Sequence, residues 1–291
     1  MKYFLYSIFA VVFIGVIFLS GCTKDIEAAQ RTETNLLLEY NPDINPLDFS
    51  TNVNNKYFTL TPGKKLIYEG ETEDGIEHIE VYTTDDIKEV MGIKTVVVWD
   101  RVWLNGKVIE DTKDWYAQDK EGNVWYFGEN SKEIIDGKII STAGSWEAGI
   151  DGAKPGIIMK ANPRVGESYR QEYYKGKAED IGQVLSIGEA VYETFTDCIK
   201  TRDWTPLEPD VDEHKYYCSD VGGVVLEVDL KNEETIRLVK VTTETQGLEE
   251  ITEEIQKKIK KNEAEEIALG KIPGRVTDFG IEKKLGRLVY V

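Results

Sequence analysis

Histidine and cysteine are scarce in this chain: two and three among 291 residues. No Cys-x-x-Cys occurs, so neither a zinc knuckle nor a redox dithiol is supported. His78 and His214 each fall inside a strand-like segment, and neither has nucleophile-elbow or zinc-protease spacing around it. Both read as structural, and no catalytic residue is expected. Basic residues are also short, 35 against 53 acids, for a net charge of −18. Nucleic acid and anionic headgroups are bound through Lys and Arg on phosphate, so a nucleic-acid partner is set aside. The acid excess reads as a solvated, self-repelling surface. Acidic clusters at 83–86 and 119–123 lack calcium-loop spacing, so no metal site and no cofactor are expected.

What the chain does have is one long hydrophobic run at its start. Lys2 is followed by an uncharged apolar stretch over 3–19 and then by small residues before a cysteine. That order is the order of a secretory signal, although a run of this length nearly spans a bilayer. The junction decides between the two. Leu19-Ser20-Gly21-Cys22 resembles the lipobox of bacterial lipoproteins. The resemblance implies a signal peptide over 1–21, cleavage before Cys22, a thioether-linked diacylglycerol on its sulfur and a further acyl chain on the new amino group. Two or more buried chains, at about 0.8 kcal/mol per methylene, make a stable anchor. The expected location is therefore the extracytoplasmic side of a cell membrane, with the covalent lipid on Cys22 as the attachment.

Lipidation of Cys22 leaves an even pair, Cys198 and Cys218. An exported location permits a disulfide, and both residues lie in strand-like segments on either side of a Pro-containing turn at 205–210. Two unpaired buried thiols are the alternative.

Residues 22–45 read as a lipidated tether, polar and punctuated by Pro42 and Pro46. From Tyr57 onward, short stretches rich in Val, Ile, Tyr and Trp are separated by Asp74-Gly75, Asn105-Gly106, Glu121-Gly122 and Asp136-Gly137. Such pairs supply the positive φ angles of tight hairpins. The clearest case predicts a strand over 94–104, a turn at Asn105-Gly106, and a second strand from Lys107. Trp99, Arg101 and Trp103 fall on one face of the first strand; Val98, Asp100, Val102 and Leu104 fall on the other. Further strands are predicted at 167–174, 181–187, 196–202, 213–219, 224–230 and 235–242. Ten or more strands at this spacing imply a β-rich domain over 46–243, built as a large curved antiparallel meander, open or half-barrel-like.

Past residue 244 the period changes. Leu248, Ile251, Ile255 and Ile259, then Ala264, Ile267 and Ala268, recur at helical spacing with a break of phase between them, which predicts two helices or one kinked one. Pro273-Gly274 ends them, and 275–282 with 287–291 reads as a hairpin. The stretch Asn262 to Val291, NEAEEIALGKIPGRVTDFGIEKKLGRLVYV, resembles a PepSY domain, so 244–291 is expected to form a helical linker and a shortened unit of that kind. The overall class is then α+β, mainly β. PepSY domains occur in propeptides of secreted metallopeptidases, and the resemblance implies contact with an envelope peptidase.

The larger region resembles a group of β-rich bacterial lipoproteins without an assigned activity, through Asp100-Arg101-Val102-Trp103, 114–117 with 122–128, 144–149 and 213–225. Its pattern is also similar, in architecture alone, to half-barrel carriers of acyl chains.

The stretch 143–156 holds four glycines, one proline and a lone tryptophan between two strands. Loops of this kind bind something or cover a core. One reading places Trp146 and Glu147 at the mouth of a ligand cavity, with Trp99, Trp103, Trp115 and Trp125 as aromatic wall. The other makes the tryptophans ordinary core and cross-strand pairs, with Trp146 as a plug. The function expected is a non-enzymatic, membrane-tethered binding module whose partners are the membrane and an envelope peptidase or hydrophobic ligand; a half-barrel lipid carrier is the alternative.

Overall fold

A computed structural model describes residues 40–243, except 193, and the backbone of 281–284 and 287–290. The signal, Cys22, most of the tether and the helices expected after 244 lie outside the described residues. Within them the one helical turn is the 3-10 segment Pro46–Asp48, closed by the Asn45 side chain accepting from the Leu47 amide at 3.2 Å. No helix among the described residues is long and apolar enough to cross a membrane.

Seventeen strands join one antiparallel sheet. Its frame is β1 (Lys65–Thr72), β2 (Gly75–Val90), β3 (Ile93–Leu104), β4 (Lys107–Asp119), β5 (Val124–Asn130), β6 (Lys154–Met159), β7 (Ser168–Arg170), β8 (Glu172–Tyr173), β9 (Ile181–Val191), β10 (Phe195–Trp204), β11 (Asp212–Cys218), β12 (Gly223–Asp229) and β13 (Thr235–Thr242). From β1 to β6 each strand pairs with the next. A second run leads from β7 to β9 and on to β13. Then β13 pairs back onto β1, opposing Thr235 to Glu71 and Thr242 to Lys65. At the remaining gap β8, one residue beyond β7, pairs with β6 through Lys154–Tyr173 and Pro155–Glu172.

The sheet is therefore a nearly closed barrel, not the open half-barrel that strand spacing suggests. The correction has a physical basis: alternation marks strands, whereas closure needs the non-local β13–β1 ladder, which no local pattern encodes. Gly156 shows how tight the last seam is. A Cβ there would stand 2.3 Å from the carbonyl carbon and oxygen of Gln171, so only glycine lets these backbones meet.

The Asn105-Gly106 turn forms as read, with φ of 51° and 78°, the mirror-image turn that suits strand twist. Alternation along β3 then assigns its faces. Val96, buried among Val124, Tyr169, Ile199 and Tyr217, faces the lumen with Val98 and Asp100. Val97 packs on the outer side with Trp115 and Phe127. Cys198 and Cys218 are directly opposed on β10 and β11, fully buried and joined as a disulfide.

One end of the lumen is stoppered by a small hairpin, Val53–Asn55 with Phe58–Leu60. Val53 and Tyr57 pack on lumen-facing residues, and Phe58 meets Tyr116 at 5.3 Å between ring centroids. Asn55 Nδ2 donates to the carbonyls of Gly122 and Lys160, at 2.9 and 3.1 Å, which ties the hairpin to two inter-strand loops at that end. At the C-terminus Ile281–Lys284 and Arg287–Tyr290 pair antiparallel, within the region read as a hairpin from sequence.

Candidate functional site

Below the stopper lies a cavity of about 130 Å³. Leu60, Leu66, Val81, Val98 and Val224 give it an apolar wall, and Asp100, Asp114, Tyr68 and Tyr116 give it a polar one. Strand alternation brings them there: Leu66 and Tyr68, Val81 and Thr83, Val98 and Asp100, Asp114 and Tyr116 are i, i+2 pairs on four successive strands. The Tyr68 hydroxyl is engaged, donating to the Val224 carbonyl at 3.0 Å. Asp100 Oδ1 is buried and has no hydrogen-bond partner. At the stopper, Lys64 Nζ donates to the carbonyl oxygens of Val221 at 2.5 Å and Gly222 at 3.3 Å, and burial holds its amine down at about 8.

The inward face is unusually acidic for a protein interior. Burial, and after it the neighbouring Asp114 and Glu110, pushes the Asp100 carboxyl well above the ordinary carboxylate range. Asp114 is pushed to about 7 by burial, against the opposing pull of the Tyr126 hydroxyl. Glu129 rises to about 8, again through burial first and Asp114 second. Deeper still, Lys215 lies 3.2 Å from Glu213 and 3.4 Å from Glu227. Burial works against the Lys215 ammonium, but Glu227, Glu213 and Asp203 outweigh it and keep the proton on. An isolated ionised carboxylate is expensive to bury, so such groups take up a proton or a positive partner.

The sequence-derived candidates separate. Trp146 is buried, with its partner on β5 being Glu129, and its ring meets Tyr126 edge-on at 5.4 Å between centroids, so it turns into the barrel. Glu147 points the other way and pairs with Lys88 at 2.9 Å; that ammonium sits 4.2 Å above the Trp115 ring on the outer wall. Trp99 and Trp103 share the outer face with Arg101, whose guanidinium lies 4.1 Å from the first ring and 5.7 Å from the second. Trp125 is outside too, donating to Asp119 Oδ2 at 2.8 Å. Asp119 also accepts from the Asn123 amide and side chain, which makes the 119–123 cluster a turn brace. The tryptophans do not converge on one cavity. Segment 143–156 is also less loop-like than its glycines suggest, because Trp146–Glu147 adds to the edge of β5.

Neither histidine lines the cavity. His78 stands on β2 between Glu69 and Glu80, at 3.7 and 3.6 Å, opposite Trp103 on the outer face. His214 faces Arg202 and Val228 in register, and burial followed by Lys200 lowers its basicity. The residues that do line the cavity were missed as a site, although one signal was present: Asp100 is a carboxyl in an otherwise apolar strand face.

No family model matches this chain, and no curated protein matches it. Among solved structures, the crystal structure of a proposed lipoprotein from Parabacteroides distasonis is similar at 12% identity, with a TM-score of 0.34, over 64% of this chain and 98% of that one. Likeness at that level defines neither a family nor an activity.

Proposed function

We propose that this chain is a lipid-anchored, extracytoplasmic protein whose barrel is a non-enzymatic binding module, with the lumen as its binding element. The observation that carries the reading is the cavity itself, apolar on one side and lined by Asp100, Asp114, Tyr68 and Tyr116 on the other. Concave sites with apolar walls and a few placed polar groups are what small ligands occupy. The anchor rests on the lipobox-like junction at Cys22.

A carrier of lipid chains is less well supported. At about 130 Å³ the cavity is well short of the several hundred Å³ of an ordinary organic-ligand site. A hydrocarbon tail would also strip solvent from Asp100 and Asp114 without giving them a partner. The C-terminal hairpin, with its PepSY-like sequence, supports a second role in which the tail contacts an envelope peptidase.

Native mass spectrometry of protein extracted from membranes tests both parts. The expected product begins at an acylated Cys22 and carries a small non-covalent ligand. Recovery of a chain with its leader intact and an empty barrel would remove the reading.

A further inference from the structure

Three large apolar side chains stand in solvent on neighbouring turns: Leu47 is 91% exposed, Met91 42% and Ile150 56%. Leu47 is the middle residue of the 3-10 turn Pro46–Asp48. Met91 and Gly92, with φ of 53° and 77°, make the tight turn between β2 and β3. Ile150 opens a turn in which the Ala153 amide donates to its carbonyl at 2.9 Å. These turns abut one another. Pro46 Cγ lies 4.0 Å from the place a Cβ on Gly92 would take, and a Cβ on Gly149 would stand 2.9 Å from Met91 Cγ. Since Pro46, Gly92 and Gly149 are exposed as well, Leu47, Met91 and Ile150 belong to one continuous surface.

We infer that this patch rests on the lipid surface of the membrane that holds Cys22, with the three side chains entering the boundary between headgroups and acyl chains. The inference rests on the anchor reading above.

The point at which the chain enters the barrel selects this occupant. The segment running back to Cys22 joins the described fold at Tyr40. Ile44 then packs on the cluster that includes Val90, Ile93 and Ala148, the residues flanking Met91-Gly92 and Gly149. The strap that leads to the lipid is therefore fastened beside the patch. An anchored protein meets its own membrane at high effective concentration, so a contact too weak to recruit it from solution is enough to orient it. Exposed apolar tips gain by leaving water for the acyl boundary.

Other occupants fit less well. A second copy would bring together two chains that each carry a net charge of −18. Anionic headgroups meet the same repulsion, so the fitting surface is zwitterionic. A second exposed group, Ile135, Ile139 and Ile140, lies on the hairpin Glu133–Ile135 with Lys138–Ser141. That hairpin stands at the Asn105-Gly106 end of β3, where Lys107 pairs with Asp136 at 3.4 Å, whereas Met91-Gly92 precedes the other end. The 12 residues of β3 put about 40 Å of strand between the two groups. Ile139 is accordingly the position that stays in water when the first patch is seated.

The test uses the full-length acylated protein reconstituted in phosphatidylcholine vesicles. With Cys22 acylated and Cys198 joined to Cys218, a cysteine introduced at position 91 or 139 is the only free thiol for a bimane label. A phosphatidylcholine spin-labelled near the top of its acyl chain should quench the Met91→Cys label at least about twofold more than the Ile139→Cys label. Adding Leu47→Glu and Ile150→Glu should remove the quenching at Met91→Cys while the protein still floats with the vesicles; circular dichroism reports whether each variant is folded. Equal quenching of the two labels, or quenching at Met91→Cys that survives both glutamates, would overturn the inference. So would a Met91→Cys label that is shielded from aqueous iodide in step with protein density yet untouched by the spin-labelled lipid, because a second copy then covers the patch. Flotation separates this failure from that of the anchor reading. Protein that floats with an unquenched label keeps its anchor and loses the seated patch, whereas protein that stays in the aqueous phase loses both.

Discussion

The Tyr126 hydroxyl lies 2.7 Å from Asp114 Oδ1 and, on its other side, 3.0 Å from Glu129 Oε2. A phenol has one proton to donate, so both contacts are hydrogen bonds when Glu129 carries a proton and donates to the phenol oxygen, while Tyr126 donates to Asp114. The carboxyl affinities agree with that order, about 8 for Glu129 and about 7 for Asp114. The interior of this barrel thus holds protons that an unfolded chain at neutral pH releases.

Stability should fall as the pH is raised. The two folded-state values lie above the ordinary 4.5 and 3.8, so their stabilising contribution is complete below about pH 4 and is lost as pH climbs through 7 and 8. Urea midpoints measured from pH 5 to 9 should decline over that window. Asp114→Asn and Glu129→Gln should each flatten the curve, and Asp114→Asn should be the more stable protein at pH 9. A curve in which wild type and both variants run parallel refutes the protonated pair.

Removing the bridge should cost more at high pH than at low. Tyr126→Phe deprives Asp114 of its donor and leaves its oxygen buried, an expected loss of about 1–3 kcal/mol. The loss should sit toward the upper end at pH 8, where Asp114 is largely ionised, and toward the lower end at pH 5. An equal loss at both pH values would indicate packing alone.

The cross-strand bridge should matter to stability and leave the binding site untouched. Cys198 and Cys218 close a loop with a sequence separation of 20, worth about 3 kcal/mol in the chain-entropy view. The double variant to alanine should unfold at correspondingly lower denaturant, and thiol labelling of denatured, unreduced wild type should find neither cysteine free.

Gly156→Ala should open the seam between β6 and β8. The new methyl group meets Gln171 backbone rather than a yielding side-chain tip. Amide exchange of Lys154 and Tyr173 should then speed up by at least tenfold, while exchange in the Ile199–Tyr217 ladder across the barrel stays slow. Unchanged exchange at the seam would show that the backbones part without consequence.

Much of the fold was legible from the residues. The last barrel strand came out as read, Thr235–Thr242, and the strand read over 94–104 differs from Ile93–Leu104 by one residue. Such segments combine β-branched and aromatic residues with turn signals at both ends. The opposition of Cys198 and Cys218 was equally accessible, since a short turn between two strands fixes their register. The site was much less so. Its stopper, Val53–Asn55 with Phe58–Leu60, lies at the start of the region read as the β-rich domain, where no strand was assigned, because strands this short carry too few residues to show alternation. Its wall was hidden behind the tryptophans, which are the conspicuous residues and mostly face outward.

The sequence alone determined the bounds of the longer strands such as Ile93–Leu104 to within a residue, which of their side chains share a face, and that Asp100 lies with Val98 and Val102 rather than with Trp99 and Trp103. Only the tertiary structure decided which of those two faces is concave. Both are apolar enough to be buried, so period-two alternation cannot choose between them. The choice is made when β13 docks on β1 and the curvature takes its sign, turning the aspartate inward and the tryptophans out.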